Sequence, residues 1–384
     1  MIYFVFNFTA FFFQFSKYKS YNFIRISFFL SLLFFLGARY GWGLDFSEYF
    51  KEFYLLNNKY TDIFSILNDT WIKVISDQKV ALAGREPFYI LLMIVSSNIS
   101  DTILGFNFLA QSIILTNFYI FCNKSKNFWL SLTICLPFII FIGTDVVRQF
   151  IAISFVIASL SFFFEKKLFY ALVLVLIPPL FHFPSAIYLM LIPFYLMDFK
   201  YILRFLLLVV ALYFLFFLYN GYFIGMEQIN FYAGEYRLGS YAGELGYSRY
   251  LYVFLTGIVL MTLLYLNAFF KVNFIKTQEE KKIFLFLVIL FFVSLFAIFV
   301  QPVAGYRISL YLIPLFIYFA SKIPELSVKY QAYYSTIICM MSIMLVFLWI
   351  NFSNGRYVYL PYKNMIFDKV KKPPNATKYE KELF

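Results

Sequence analysis

The sequence predicts an all-α fold, a polytopic integral membrane helix bundle of about twelve transmembrane spans plus one re-entrant half-helix. Three observations predict it. The 384 residues are 62% hydrophobic and only 14% charged, too little polar surface for a soluble fold of that size. Apolar runs of roughly 14 to 22 residues recur along the chain, and about 20 helical residues cross a ~30 Å hydrocarbon core. Strand alternation is absent, which argues against a membrane β-barrel.

Segment 1–16 has no basic residue before Lys17 and no small-residue cleavage site after it, so it reads as a first span and not a signal peptide. Segment 22–37 follows the basic stretch Lys17, Lys19 and Arg25. Segment 87–99 is among the shortest, opens at Pro87 and ends in the polar run Ser96-Ser97-Asn98. Segments 104–122, 128–142 and 147–164 are separated by Lys124/Lys126 and by a link at 143–147. Segments 168–181 and 184–197 come after Lys166/Lys167, with Pro178, Pro179 and Pro184 expected to break the helix between them. The remaining segments are 201–219, 249–270, 283–300, 308–320 and 331–350, the last three separated by a link at 301–307 and by Lys322/Lys329.

Short basic connections stay on the cytoplasmic side, and these include Lys200/Arg204 and Lys271 to Lys282. Longer connections rich in Gly and Tyr, 38–86 and 220–248, belong to the other side together with the tail 351–384. If every segment spans, Lys124/Lys126 share a side with loop 38–86, against the charge rule. Treating 87–99 as re-entrant removes the conflict and puts both termini outside. The expected organisation is one polytopic domain over 1–350 and a non-cytoplasmic tail whose Pro373-Pro374 and scattered lysines suggest disorder. No internal repeat is visible, which weakens an inverted-repeat transporter reading.

The net charge of +12 sets topology and attracts anionic headgroups; nothing in it points to nucleic acid. Phe (56) and Tyr (33) are abundant enough to suggest a sugar-stacking surface, but lipid-facing positions need only be apolar, and that reading is preferred. Cys122, Cys135 and Cys339 lack metal spacing and read as apolar fillers, and a single histidine excludes His-rich metal chemistry. No metal site and no cofactor is expected, because no Asp-x-Asp pair or nucleotide loop is present.

This topology gathers Arg39, Asp45, Arg85, Glu86, Asp145, Arg148, His182, Glu227, Arg237, Glu244, Arg249 and Arg307 on the non-cytoplasmic face. Arg148, followed by Gln149, lies one turn into an apolar segment, where a guanidinium fork suits phosphate oxygens. Asp145 at i−3 offers a helical partner to orient it; snorkelling to headgroups is the alternative. His182, in PPLFHFPSA, is either a base or hydrogen-bond donor to substrate, or the partner of a carbonyl freed by the prolines. Arg307, after Tyr306 in PVAGYRISLYLIP, repeats the Arg148 arrangement, again with snorkelling as the alternative. Arg39 and Asp45 flank a Gly-rich turn, and Glu86 is either a functional carboxylate or a helix cap for 87–99. Arg237 and Arg249 flank a Tyr/Gly/Glu-rich stretch suited to carbohydrate, or to nothing more than a hydrated loop. Arginines and acids facing one compartment above a lipid-embedded core fit a lipid-linked diphosphate substrate.

The segments RYGWGLDFSEY, REPFYILL, DVVRQFIAISF, LFHFPSAIYLMLIPFY, GYRISLYLIP and YLPYKNMIF occur in an order that resembles the EpsG/Wzy family of bacterial polysaccharide repeat-unit polymerases, over roughly residues 1–367. The resemblance implies an all-helical inner-membrane glycosyltransferase that joins undecaprenyl-diphosphate-linked oligosaccharides on the periplasmic face without a metal. It implies a functional set of Arg39, Asp45, Glu86, Arg148, Gln149, His182 and Arg307, and a chain-length regulator as partner. His182, Glu86 and Asp45 are the catalytic candidates, with His182 as base chosen on its chemistry alone. Arg39, Arg148, Gln149, Arg249, Arg307 and Tyr306 are the candidates for holding diphosphate and sugar. The alternatives are an O-antigen ligase and a non-enzymatic flippase or transporter of the same lipid-linked oligosaccharides. Ligases usually carry a larger periplasmic loop than 220–248, and a transporter calls for charges at mid-membrane depth.

Overall fold

A computed structural model describes residues 2–16, 18–39, 45–59, 86–202, 204–205, 208, 277–300, 302–322 and 331–352. Every regular element among them is helical, and they fall into two compact units, Met1–Tyr188 with Lys329–Phe384, and Leu189–Val328.

The first unit opens with α1 (Ile2–Phe15) and α2 (Asn22–Gly37), at the bounds that hydropathy suggests. Phe23, Ile26, Leu30 and Phe34 leave one stripe of α2 exposed, while Phe28, Phe29, Leu32, Phe35 and Leu36 bury the other. The phenylalanine excess therefore supplies both faces of a helix that has apolar surroundings outside as well as inside. The region expected to be a loop after α2 contains a helix, α3 (Phe46–Lys59). Phe46, Tyr49, Phe50 and Phe53 recur at helical spacing and are all buried.

The short helix α4 (Pro87–Ile99) starts with proline at its first position, where the missing N–H has no intrahelical partner to lose. After it come α5 (Leu104–Lys124), α6 (Phe128–Pro137) and α7 (Val147–Phe164). α6 does not end at 142 but continues through a π-helical stretch, Phe138–Ile142, to Asp145. Leu104–Lys124, Phe128–Asp145 and Val147–Phe164 are each long and apolar enough to cross a membrane. The α6 helix is the most enclosed of the three, packed by α1 and by α14 (Gln331–Phe352). Pro137 cannot donate to the carbonyl of Thr133 four residues back, and the Ser342 hydroxyl of α14 donates to that oxygen instead.

Polar side chains tie the apolar helices together. Asn107 and Gln111 of α5 donate to the carbonyls of Arg39 and Gly143, and Asn117 donates to the Ser154 hydroxyl of α7. Gly37 lets α2 approach α5, since a Cβ there would stand 2.6 Å from the Phe108 ring.

α8 (Leu168–Leu176) and α9 (Pro178–Phe181) follow α7. Pro178 and Pro179 part the two as expected: α8 ends at Leu176, Ile177 keeps helical angles, and the prolines take the first-turn positions of α9. The chain then leaves the helix at His182, whose φ of −155° and ψ of 104° are extended. A 3₁₀ stretch, Phe183–Met190, runs on from there.

The first unit has two distinct ends. At one, Arg25 donates to Asn123 and lies over the Phe128 ring, Trp129 donates to the Lys19 carbonyl, and Lys124 pairs with Glu165. At the other lie the end of α2 at Arg39, the start of α5 at Asn107 and the start of α7. Tyr89 in the first turn of α4 meets the Phe106 ring, and Ser96 two turns later lies against Gly105. Both meet the first turn of α5, so α4 begins and finishes at that same end.

In the second unit α10 (Leu191–Leu196) packs on α11 (Gln278–Val300), which also packs on α12 (Pro302–Ser309) and α13 (Ile313–Lys322). The link expected at 301–307 is thus mostly helical. Glu280 closes the start of α11, accepting from the Thr277 N–H while the Thr277 hydroxyl accepts from the Glu280 N–H, and Lys322 pairs with the same carboxylate.

Candidate functional site

Three chain breaks meet at one end of the first unit: the entry to α4 at Glu86, the entry to α7 at Val146–Arg148, and the extended residue His182 after α9. Each is a place where a helix leaves backbone groups unsatisfied. Glu86 is the residue that joins them.

Glu86 stands at the N-cap of α4 with φ of −70° and ψ of 143°, but its side chain does not cap that helix. One carboxylate oxygen accepts from Arg148 Nη1 at 3.0 Å; the other accepts from the Phe183 N–H at 3.0 Å and faces His182 Nδ1 at 3.3 Å. Only 8% of the Glu86 side chain is exposed. Burial by itself would raise its pKa, but His182, the Arg148 charge and the Phe183 N–H outweigh burial and hold the carboxyl at about 2.

Arg148 takes Glu86 as its partner, not Asp145, the i−3 residue that helical spacing offers. Val146, with φ of −111° and ψ of 63°, breaks the helix between Asp145 and Arg148 and removes the i−3 geometry. The Arg148 guanidinium also lies 5.0 Å from the centre of the Tyr89 ring. Tyr89 in turn donates its hydroxyl to Glu52 of α3, and Tyr49 and Glu52 both interact electrostatically with Arg148. Tyr49, Glu52 and Tyr89 are all buried. Tyr49 and Glu52 are not among the sequence candidates because 38–86 reads as a loop, and Tyr89 is not because it reads as one apolar residue of the segment 87–99. The signal available was the amphipathic stretch FSEYFKEF, which carries Glu52 on the same side as its aromatic residues.

Of the residues the sequence singled out, Glu86, Arg148 and His182 are brought together. Gln149 is buried beside Arg148 in α7. Arg39 is buried at the same end, its carbonyl held by Asn107 and its Nη1 3.5 Å from the Leu36 carbonyl. Asp45 is half-buried just ahead of α3 and interacts electrostatically with Tyr49. Tyr306 and Arg307 are half-buried in α12 of the second unit. Arg249 lies outside the described residues, as do Arg85, Glu227, Arg237, Glu244, the segment 249–270 and the loop 220–248. Among the described residues no group of three His, Cys, Asp or Glu side chains is placed to hold a metal ion.

The arrangement can present a guanidinium to an anion. One Nη is fixed by Glu86 and one face is covered by Tyr89, which leaves further N–H donors of the fork. It can also orient an imidazole, because a carboxylate at Nδ1 favours the tautomer whose Nε2 accepts protons.

The profile of the EpsG family matches residues 22–364. No curated protein and no solved structure matches the chain.

Proposed function

The chain belongs to the EpsG family, and from that premise we propose that it is a polysaccharide repeat-unit polymerase of the inner membrane. The reading rests on one observation above the others: in a member of this family, a guanidinium paired to a carboxylate stands at the start of a membrane-length helix. The substrates are undecaprenyl-diphosphate-linked oligosaccharides, bound on the periplasmic side.

Arg148, with Gln149 beside it, engages the donor diphosphate, and its charge favours departure of undecaprenyl diphosphate. His182 accepts the proton of the acceptor hydroxyl at Nε2. The hydroxyl oxygen bonds to the anomeric carbon of the donor chain as the bond from that carbon to the diphosphate oxygen breaks. Glu86, engaged by Arg148, Phe183 and His182, positions both groups, a narrower role than catalysis. Arg39, Arg249, Tyr306 and Arg307 serve substrate binding in this reading, Asp45 is a further catalytic candidate, and the loop 220–248 reads the sugars. A chain-length regulator is the expected protein partner.

The proposed topology has about twelve spans in one domain over 1–350, with the loops 38–86 and 220–248 and the tail 351–384 outside. The segment 87–99 does not cross the membrane in this topology, which the start and finish of α4 at one end support. The test is deletion followed by electrophoresis of lipopolysaccharide. A single repeat unit on the lipid core is expected. Polymer retained on its carrier with a bare core would identify a ligase instead, and normal ladders would overturn the assignment.

A further inference from the structure

Linked to Arg148 through the Tyr89 ring lies a second buried carboxyl group that the reaction as described leaves unused. Glu52 is 4% exposed and Tyr89 1%, and the Tyr89 hydroxyl donates to Glu52 Oε2. The two residues belong to different helices, α3 and α4, which pack on one another. Tyr49, one turn before Glu52, places its ring 6.1 Å from that of Tyr89, and Phe106 of α5 meets both rings, at 5.8 Å and 6.0 Å. Tyr89 is thus wedged between aromatic neighbours, and the carboxyl of Glu52 fixes its hydroxyl end. The centre of the ring so held stands 5.0 Å from the Arg148 guanidinium carbon.

We propose that Glu52 is a positioning residue that acts through Tyr89 to hold the guanidinium plane of Arg148 for the diphosphate. The inference rests on the reading of Arg148 as the diphosphate-binding group. An ion pair with Glu86 fixes one Nη but leaves the plane free to rotate about that contact. A ring held at its hydroxyl end removes the rotation, because a guanidinium prefers to lie over an aromatic face. The two supports together give a fork of defined direction, which bidentate recognition of phosphate oxygens requires. Glu52 then needs to accept a hydrogen bond but does not itself touch substrate.

The test uses the full chain purified in detergent and farnesyl diphosphate, a short soluble polyprenyl diphosphate, titrated by calorimetry. Tyr89→Phe keeps the ring and removes the hydroxyl, and Glu52→Ala removes the acceptor. Each is expected to weaken binding about tenfold. The double variant is expected to be no weaker than either single one, because both break the same hydrogen bond. Glu52→Gln keeps an acceptor oxygen and is expected to stay within about threefold of the parent. Tyr89→Phe and Glu52→Gln keep the test open where Glu52→Ala lowers yield. Losses that multiply in the double variant, Glu52→Gln as weak as Glu52→Ala, or single variants that bind as well as the parent would each overturn the proposal. Arg148→Ala separates the two levels. If it binds farnesyl diphosphate normally, the diphosphate reading itself fails; if it binds weakly while the Glu52 and Tyr89 variants do not, only the positioning role fails.

Discussion

Arg148 and Glu86 form a buried pair, and such pairs are asymmetric in their consequences. Removing one partner leaves the other charged in a poorly solvated place, at a cost of about 3 kcal/mol. Glu86→Ala is therefore expected to lower thermal stability in detergent and to abolish polymer, measured by melting and by ladder length. Arg148→Lys keeps the charge but not the fork, and is expected to lower polymer output at least about tenfold at normal protein level. The pH dependence follows from the Glu86 carboxyl, whose pKa falls from an ordinary 4.5 to about 2 in the folded chain. A depressed carboxyl contributes stability above its unfolded value, and that contribution is lost as pH falls through the folded one. The parent is thus expected to lose stability between pH 4.5 and about 2 more steeply than Glu86→Gln. His182→Ala is expected to stop polymerisation while leaving farnesyl diphosphate binding within about threefold, since in the proposed reaction the imidazole acts on the acceptor hydroxyl and not on the diphosphate.

At the scale of elements, α4 and α6 carry the sharpest expectations. α4 has 13 residues, about 20 Å of helix, and begins and ends at one end of the first unit. In a chain without its native cysteines, Asp101→Cys is expected to react with an impermeant thiol reagent from outside and Lys126→Cys is not. Equal labelling of the two from outside would overturn the topology. In α6, Ser342→Ala leaves the Thr133 carbonyl without the hydroxyl that replaces the N–H missing at Pro137, and is expected to cost about 1 kcal/mol. Adding Pro137→Ala to Ser342→Ala returns a backbone donor and is expected to recover part of that loss in a melting experiment. Sequence periodicity located both helices because each is apolar along its length. The prolines place a helix break around His182 and the structure has it there, where the extended backbone of residue 182 lets Phe183 donate to Glu86.

For the molecule as a whole, the three membrane-length helices and the EpsG family match agree with a membrane protein, and Glu86, Arg148 and His182 meet at one end of its first unit. The charge rule assigned Lys19, Arg25 and Lys124 to one side, and they do gather at one end of the first unit, away from Glu86, Arg148 and His182. That separation was legible because charge distribution along alternating helices fixes which ends coincide.

The sequence by itself determined that the chain is helical and membrane-embedded, which family it resembles, and that Arg148 and His182 merit attention. Hydropathy, helical period and local motifs are properties of neighbouring residues, so they can be read along the chain. Partnership is not such a property. That Arg148 pairs with Glu86 and not with Asp145, that one carboxylate meets Arg148, the Phe183 N–H and the His182 ring, and that Glu52 reaches the guanidinium through Tyr89 were decided only by the tertiary structure. The physical reason is separation: Arg148 and Glu86 are 62 positions apart and Glu52 and Tyr89 are 37 apart, and only packing of the helices between them brings each pair into reach.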